Sequence, residues 1–332
     1  MLARTLVAFV LALCAAPAMA EYGTIDEAPA ATLLFPHFEV NPNSSTGLNT
    51  ILTVQNTSAT ATVAKVVLWT DYGIPTASFT LYLTGYDTET LNMREVLYRQ
   101  APITADDADD PSDTISPQGP ISQDINFPGT NNVLPAGIIP AGQLISAHRG
   151  LASVDYFGGL CGARNYNDGI ARGYVTMDTV NNQTARRPTD PSYFTNDITF
   201  QNILEGSYLV LDAPRGRVYA DNAVAIEARD FSVVIPPGTP TFYRSFNGGN
   251  TSDRREALPT AWTGRFASDR TDLSVWREPS GTTVPFACAG APIGVPSTQR
   301  ALSGLNADGT VAGSPAGNFF PIVSGNVAGS TF

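Results

Sequence analysis

The sequence predicts a mainly β protein, an antiparallel β-sandwich with little helix. Three observations indicate this fold. Short segments in which apolar and polar side chains alternate recur along the 332 residues, and turn-forming residues separate them. No segment has the spacing of a long amphipathic helix. With 43% hydrophobic residues, the chain has enough apolar side chains to fill a core between two sheets.

The clearest run of strands lies between residues 48 and 94. In the strand predicted at 63–70, aliphatic side chains fall on one face, because side chains alternate with a period of two. The other face carries Lys65, Val67 and Trp69, which is too apolar for a face open to solvent. This face is therefore expected to lie under another element or against a partner.

Turn residues and one short helix complete this stretch. Asn56–Ser58 and Asp71–Pro75 are typical of turns, because Asn, Asp and Ser bond to their own backbone while Gly and Pro favour turn dihedrals. Leu91–Tyr98 is predicted to form one or two helical turns. Ahead of the stretch, Thr32–Val40 is a predicted strand that Pro36 confines to a sheet edge or to a bulge.

Further strands are predicted in the second half of the chain. They are Gly169–Val180, Ile198–Leu211, Arg217–Arg229 and Asp272–Glu278. Asp212–Gly216 is the turn that joins the second and third of them. Asp308-Gly309 favours a type I′ hairpin turn, and the residues from 318 onward either dock as a final strand or stay loose. Many short strands favour a sandwich of the immunoglobulin-like or jelly-roll-like type over an α/β fold.

The composition divides the chain into five parts. They are a signal peptide at 1–20, an N-terminal β-sandwich unit at 30–100, an acidic, proline-rich excursion at 101–142, a larger β unit at 143–300, and a tail rich in Gly, Ala and Ser at 301–332. The tail has room for a final hairpin. The two β units form either separate domains or one continuous core.

The first 20 residues predict export. Arg4 supplies a positive n-region, Leu6–Leu13 an apolar h-region, and Ala18–Ala20 a cleavage site of the A-x-A type. A lipoprotein with Cys14 as the lipidated residue is the alternative, but Leu13 stands where that processing needs a small residue. Beyond the leader no apolar run reaches the ~18–20 residues of a membrane helix, so the mature chain has no predicted transmembrane segment. The net charge of −11 disfavours nucleic acid as a partner.

Cleavage of the leader leaves two cysteines, Cys161 and Cys288. In an exported chain they predict one disulfide, which would stabilise the fold by roughly 4–5 kcal/mol on the chain-entropy model. A metal site or a catalytic thiol is the alternative. Neither cysteine has His, Lys or Arg within two residues to lower its pKa, so the disulfide is preferred.

An acidic loop within the excursion is the candidate metal site. The carboxylates, which are ligands that Ca²⁺ prefers, belong to Asp106, Asp107, Asp109, Asp110 and Asp113. The loop lacks the alternating ligands and the glycine of an EF-hand loop, so a solvated acidic loop is the preferred interpretation. Calcium, the ion that these carboxylates would suit, is the candidate cofactor, and no other cofactor is predicted.

Four aromatic residues are candidates for stacking on a sugar ring: Trp69, Tyr82, Trp262 and Trp276. Burial in the core of a sandwich is the commoner fate of such side chains.

No catalytic motif is present. The chain has only two histidines, His37 and His148, and it lacks the H-E-x-x-H, C-x-x-C and G-x-S-x-G motifs. A glycosidase needs two carboxylates that face one cleft, roughly 5–10 Å apart. The eligible acids are Asp71, Asp87, Glu89, Glu95, Asp178, Glu205 and Glu227, and nothing in the sequence selects two of them.

The segment 48–94 resembles the opening strands of immunoglobulin-like sandwiches in exported bacterial surface proteins. The matching pattern is a strand that ends at Asn56, a second that ends at Asp71–Gly73, then Leu83–Tyr86 and Thr88 leading into Leu91. Thr271–Arg277 resembles a segment of exported proteobacterial proteins. These resemblances cover less than a third of the chain, and the relatives bring no established activity. They imply the fold and the compartment and assign no site residue.

Two functions follow as hypotheses. The first is an exported, non-enzymatic surface or matrix protein, secreted, periplasmic or on the cell surface. It would bind an envelope or extracellular protein, a glycan or its own copies through a sheet face or edge. The alternative is an extracellular polysaccharide hydrolase that uses a carboxylate pair. The lack of catalytic motifs in an exported β architecture favours the first.

Overall fold

The computed structural model describes residues 28–99, 141–182, 184, 186–190, 192–229, 253–256, 272–276, 283–290, 304–305, 311–313 and 324–328. In chain order, the strands are β1 Thr32–Val40, β2 Asn49–Asn56, β3 Thr62–Trp69, β4 Pro75–Leu83, β5 Thr88–Asn92, β6 Ala171–Val180, β7 Leu204–Asp212, β8 Arg217–Asn222, β9 Val224–Ile226, β10 Asp272–Trp276, β11 Gly304–Leu305, β12 Val311–Gly313 and β13 Ser324–Ala328. The fold is mainly antiparallel β, which confirms the predicted class.

Two sheets form the sandwich. The larger has the strand order β4-β3-β6-β1-β9, and the smaller has the order β5-β2-β7-β8. All neighbours within them are antiparallel. β6 lies between β3 and β1, and β7 pairs with β2 along its length. Strands from the N-terminal part and from the second half of the chain therefore share one core.

Aliphatic and aromatic side chains fill the space between the sheets. Ala64, Val66 and Leu68 of β3 point into this core, in agreement with the predicted alternation. Leu52 and Val54 of β2 meet them from the other sheet. Burial of a side chain such as Val, Leu or Phe contributes about 1.5–3 kcal/mol, so this core is the main source of stability.

The opposite face of the larger sheet is covered as well. Val67 and Trp69 are fully buried and pack against Tyr193, Phe194 and Ile198. The β10–β13 ribbon contacts β1 on the same sheet. The expectation that this apolar face lies under another element is confirmed.

Pro36 produces a bulge. The register of β1 against β6 shifts between Phe35 and Phe38. β9 pairs only with the start of β1, up to Leu34, so the missing N–H of Pro36 interrupts no hydrogen bond to β9. The bulge interpretation is confirmed, and at Pro36 no strand of the described residues pairs with the side of β1 opposite β6, so this position is also a local edge.

The described helices are short. They are α1 Met93–Arg99, α2 Ala141–His148, α3 Val154–Phe157 and α4 Tyr193–Asn196, with a 3₁₀ turn at Ala213–Arg215. α1 confirms the helical turns predicted at the end of the first run of strands. The 3₁₀ turn joins β7 to β8 at the position predicted for a turn.

The C-terminal strands form two ribbons. β10 pairs with β13, so the predicted strand from residue 272 is confirmed and a late segment docks as a final strand. β11 pairs with β12. The predicted Asp308-Gly309 turn between them lies outside the described residues.

Candidate functional site

The disulfide is the predicted site feature that the structure shows directly. Cys161 and Cys288 are bonded across a sequence separation of 127 residues. Backbone hydrogen bonds between Cys161 and Phe286 reinforce the link at 2.9 Å in both directions. Tyr72, in the turn between β3 and β4, packs edge-on against Phe286 with 5.7 Å between the ring centroids. The bond therefore holds the 283–290 segment against this end of the sandwich.

The proposed sugar-stacking role is wrong for Trp69. Its side chain is fully buried, and Nε1 donates a hydrogen bond to Oγ1 of Thr176 at 2.8 Å. Its ring stacks on Tyr174 at 5.8 Å. Trp69 is buried because other segments pack over the outer face of the larger sheet and exclude solvent from this position.

The other aromatic candidates do not form a platform with it. Trp276 packs edge-on against Tyr174, with 5.8 Å between the ring centroids, and is half-buried. Tyr82 is half-buried at the rim of the same apolar cluster. Trp262 lies outside the described residues.

The calcium candidates, Asp106, Asp107, Asp109, Asp110 and Asp113, also lie outside the described residues. Within the part of the chain that the structure describes, no group of three or more His, Cys, Asp or Glu side chains is placed to hold a metal ion.

His148 is a structural residue. Its ring nitrogens lie 2.8 Å from Oγ1 of Thr76 and 2.9 Å from the carbonyl oxygen of Arg172. Burial lowers the pKa of His148 to about 4, and the hydrogen bond to that carbonyl only partly opposes the shift. The imidazole and the hydroxyl of Thr76 are both buried, so this pair is closed to a substrate.

Two of the eligible acids are enclosed. Burial raises the pKa of Asp71 to about 7, although the N–H of Arg164 donates to Oδ1 at 3.0 Å. Asp178 accepts hydrogen bonds from the hydroxyls of Thr32 and Tyr193 at 2.5 and 2.8 Å. Burial raises the pKa of Asp178 too, and the charge of Arg255 opposes that rise. Carboxylates in these positions cannot reach a polysaccharide.

Asp87 and Glu89 form a carboxylate pair at the start of β5. Asp87 lies in the turn before β5, where its Oδ2 accepts a hydrogen bond from the N–H of Thr84 at 3.1 Å, and Glu89 is the second residue of the strand. Burial raises the pKa of Glu89 to about 7, and the negative charge of Asp87 adds to the shift. Neighbouring Tyr86 is exposed. The pair lines neither of the two clefts described below.

The larger cleft opens at one end of the sandwich and has a volume of about 440 Å³. It lies where β1 and β7 end and where β6 and β8 begin. Its charged and aromatic lining consists of Glu39, Asp168, Arg172, Asp212, Arg215, Arg217 and Tyr219. A smaller cleft of about 160 Å³ contains Glu205 as its acid.

Arg172 organises the charges of the larger cleft. Its Nε donates to Oε1 of Glu39 at 2.7 Å, and its two terminal nitrogens donate to Asp168 at 3.0 and 2.6 Å. Burial opposes ionisation of Glu39, but His37 and Arg172 outweigh it and lower the pKa to about 2. The pKa of Asp168 is lowered too, because Arg172 outweighs its burial. Both acids are therefore ionised at neutral pH, and neither is suited to be a general acid.

β8 forms the exposed edge of the smaller sheet and borders this cleft. It pairs with β7 on one side, and no strand of the described residues pairs with its other side. The first five residues of β8 are all exposed. Val218 is 62% exposed and Tyr219 is 37% exposed. The strand therefore presents a free backbone edge together with apolar side chains.

β8 lacks several of the usual protections of an edge strand. Natural edges are protected by charged side chains, above all lysine, and by proline or a bulge. β8 contains no lysine or proline, its register with β7 runs without a shift from Arg217 to Asn222, and its charged side chains are Arg217 and Asp221. A regular edge of this kind, open within the described residues, is suited to pairing with another strand.

Comparison with known protein families, curated proteins and solved structures finds no match for this chain. Among the helices that the structure describes, none is long and apolar enough to cross a membrane.

The strand at β8 is predicted by its composition, but its position at the edge depends on its neighbours and could not be predicted. The Arg172 cluster has no sequence signal, since Glu39 lies more than a hundred residues away.

Proposed function

We propose that this chain is an exported, non-enzymatic surface or matrix protein that binds a partner through the edge of its smaller sheet. The single observation that carries the proposal is β8, a regular and exposed edge strand without lysine, proline or a bulge, whose outer side no strand of the described residues pairs. An extended segment of a protein partner would add to the sheet there, with main-chain hydrogen bonds for affinity and side-chain contacts for selectivity.

The adjoining cleft adds polar recognition to this edge. Tyr219 and Arg217 belong to both β8 and the cleft lining, so a bound segment would contact both at once. Arg172 fixes the carboxylates of Glu39 and Asp168 in place. Such preorganised acceptors would also suit the hydroxyls of a glycan, since little ordering is needed on binding.

Export is supported by the disulfide. A bond between Cys161 and Cys288 persists in oxidising compartments and is rare in reducing ones. This agrees with the leader expected at 1–20 and supports a position of the binding edge outside the cytoplasm.

The test compares two valine-to-lysine variants. Val218→Lys adds a charge on the binding edge and should weaken binding to envelope fractions or arrayed glycans at least about tenfold. Val154→Lys is the matched control, because Val154 is equally exposed, at 66%, but lies on α3. The purified protein would be presented to both kinds of target at several salt concentrations.

Three results would count against the proposal. They are equal weakening in both variants, undiminished binding by Val218→Lys, and a protein that binds no envelope component or glycan and also remains monomeric. Thermal melting of each variant shows whether the fold is kept.

A polysaccharide hydrolase is the second candidate, and the pair Asp87 and Glu89 favours it. A carboxyl group with a pKa near 7 beside a second carboxyl group is found where a general acid works with a nucleophile or base. Release of reducing ends from polysaccharide that is lost in Glu89→Gln and kept in Asp155→Asn would support this function. Absence of any release would exclude it for the polysaccharides used.

A further inference from the structure

We propose that the partner of β8 is β8 of a second copy of this chain, paired antiparallel about a two-fold axis at Tyr219. This inference rests on the binding role proposed above and names its partner. It is carried by the charge pattern of the strand and by the exposure of its free edge.

The pattern of β8 is self-complementary in one register. Alternation places Arg217, Tyr219 and Asp221 on one face of the strand. In an antiparallel pair centred on Tyr219, Arg217 of each copy stands directly opposite Asp221 of the other. Tyr219 then meets its own symmetry mate between the two ion pairs. Opposite charges in directly opposed positions stabilise a strand pair.

Other registers lose this match. Moving the two-fold axis by one residue, to Ala220, sets Tyr219 against Asp221. Moving it to Val218 sets Arg217 against Tyr219. A parallel, in-register pair would set each charge against its like. Because a two-fold axis repeats every contact, the Tyr219-centred register gains the Arg–Asp pair twice.

The charged groups are available for this pairing. Within the described residues the Arg217 side chain makes no hydrogen bond or ion pair. Asp221 accepts one hydrogen bond, from the N–H of Asn222 to Oδ1 at 2.9 Å, which leaves Oδ2 open. On the reverse face, exposed Val218 would lie opposite Ala220 of the other copy and lose contact with water.

The result would be one continuous sheet through both copies, with the order β5-β2-β7-β8 followed by the same strands in reverse. A free edge is removed from each copy, as in other closed two-fold assemblies. The contact involves only six residues of each chain, Arg217–Asn222, so it is smaller than a standard interface. A weak, concentration-dependent dimer is expected.

The experiment uses charge reversal with rescue by mixing. Asp221→Arg sets Arg against Arg217 of the other copy, and Arg217→Asp sets Asp against Asp221. Each variant alone should dimerise at least about tenfold more weakly than the original protein, since both symmetry-related pairs become repulsive. An equal mixture of the two variants restores both Arg–Asp pairs and should form the heterodimer.

Sedimentation equilibrium from about 1 to about 500 µM would measure these constants, which covers the range expected for a small interface. Asp155→Arg is the control, because Asp155 is exposed on α3, away from the edge. Arg217 also faces Asp212 on β7, so Arg217→Ser is included as a milder variant with a smaller expected loss. Melting curves at low concentration establish that each variant is folded.

A protein that stays monomeric over this range overturns the inference, as does dimerisation that the reversals do not weaken. Failure of the mixture to associate also overturns it, since a different partner or register would then use the edge. If the protein is monomeric but Val218→Lys still abolishes binding to an envelope fraction, the proposed function stands and only the self-pairing is wrong.

Discussion

Replacement of Arg255 by methionine should destabilise the protein by about 3–5 kcal/mol, the usual cost of breaking a buried ion pair. The Arg255 side chain is 0% exposed. Its Nε and one terminal nitrogen donate to the two carboxylate oxygens of Asp253 at 3.0 and 2.8 Å. Its other terminal nitrogen lies 3.7 Å from Oδ1 of Asp178. Removal of the guanidinium leaves two buried carboxylates without their shared cation.

The expected loss of stability comes from the unpaired buried charges and not from lost packing. Methionine keeps most of the arginine's apolar volume, so the cavity contribution is small. If the two carboxylates are also replaced, in Arg255→Met with Asp178→Asn and Asp253→Asn, no unpaired charge remains. This triple variant should recover at least about 2 kcal/mol, because buried pairs replaced on both sides are often neutral.

Equilibrium unfolding in urea, followed by tryptophan fluorescence, measures these differences. Arg254→Met is the control, because Arg254 is only partly buried and lies 4.9 Å from the Phe200 ring centroid. Its loss should stay below about 1 kcal/mol. A loss below about 1 kcal/mol for Arg255→Met, or a triple variant no more stable than the single one, would refute the reasoning.

The pH dependence of the same variant gives an independent check. Burial raises the folded-state pKa of Asp178, and without the charge of Arg255 to oppose this rise the pKa lies further above its unfolded value. Proton uptake then favours the folded state, so the deficit of Arg255→Met should shrink as the pH falls from about 8 to about 5. A deficit that grows on acidification would contradict this sign.

Two further predictions concern the disulfide and the single lysine. Replacement of Cys161 and Cys288 by serine should cost about 2–5 kcal/mol, seen as a lower urea midpoint, and a midpoint that reductant leaves unchanged would contradict it. Burial lowers the pKa of Lys65 from 10.5 to about 7, helped by the charge of Arg187 and opposed by Asp197. Between these values the unfolded chain binds more protons than the folded one, so stability should rise with pH by up to about 1.4 kcal/mol per unit. Lys65→Met should flatten this rise in urea unfolding measured at a series of pH values, and an equally steep rise in the variant would contradict it.

Local features of the fold could be predicted because they depend on nearby residues. The alternation on β3 specified which side chains share a face, and Asp212–Gly216 marked the turn before β8. The bulge at Pro36 follows from the missing N–H of proline, and the helical turns of α1 follow a short local pattern. Composition also pointed to Cys161 and Cys288, since the predicted removal of Cys14 with the leader leaves two of the three cysteines and a single pairing.

Most of the candidate site could not be predicted from the sequence. The acids Asp71 and Asp178 look like any others in the chain, and only their surroundings show that they are enclosed. Glu39 and Asp168 become a paired set because β1 and β6 are neighbours, which brings both to Arg172. Trp69 could have faced solvent or a core, and the covering segment with Tyr193 and Phe194 decided that.

By itself, the sequence determined the class of the fold, the faces of its strands and the disulfide, because a period of two and a cysteine count are properties of the chain alone. Only the tertiary structure decided that β2 pairs with β7, that the outer face of the larger sheet is covered, and that β8 is left at an edge. The physical reason is that strand pairing is a long-range choice. The alternation of apolar and polar residues predicts which side of a strand is apolar. Backbone hydrogen bonds are the same for every strand, so they do not select which strands pair. The packing of the whole core selects the neighbours.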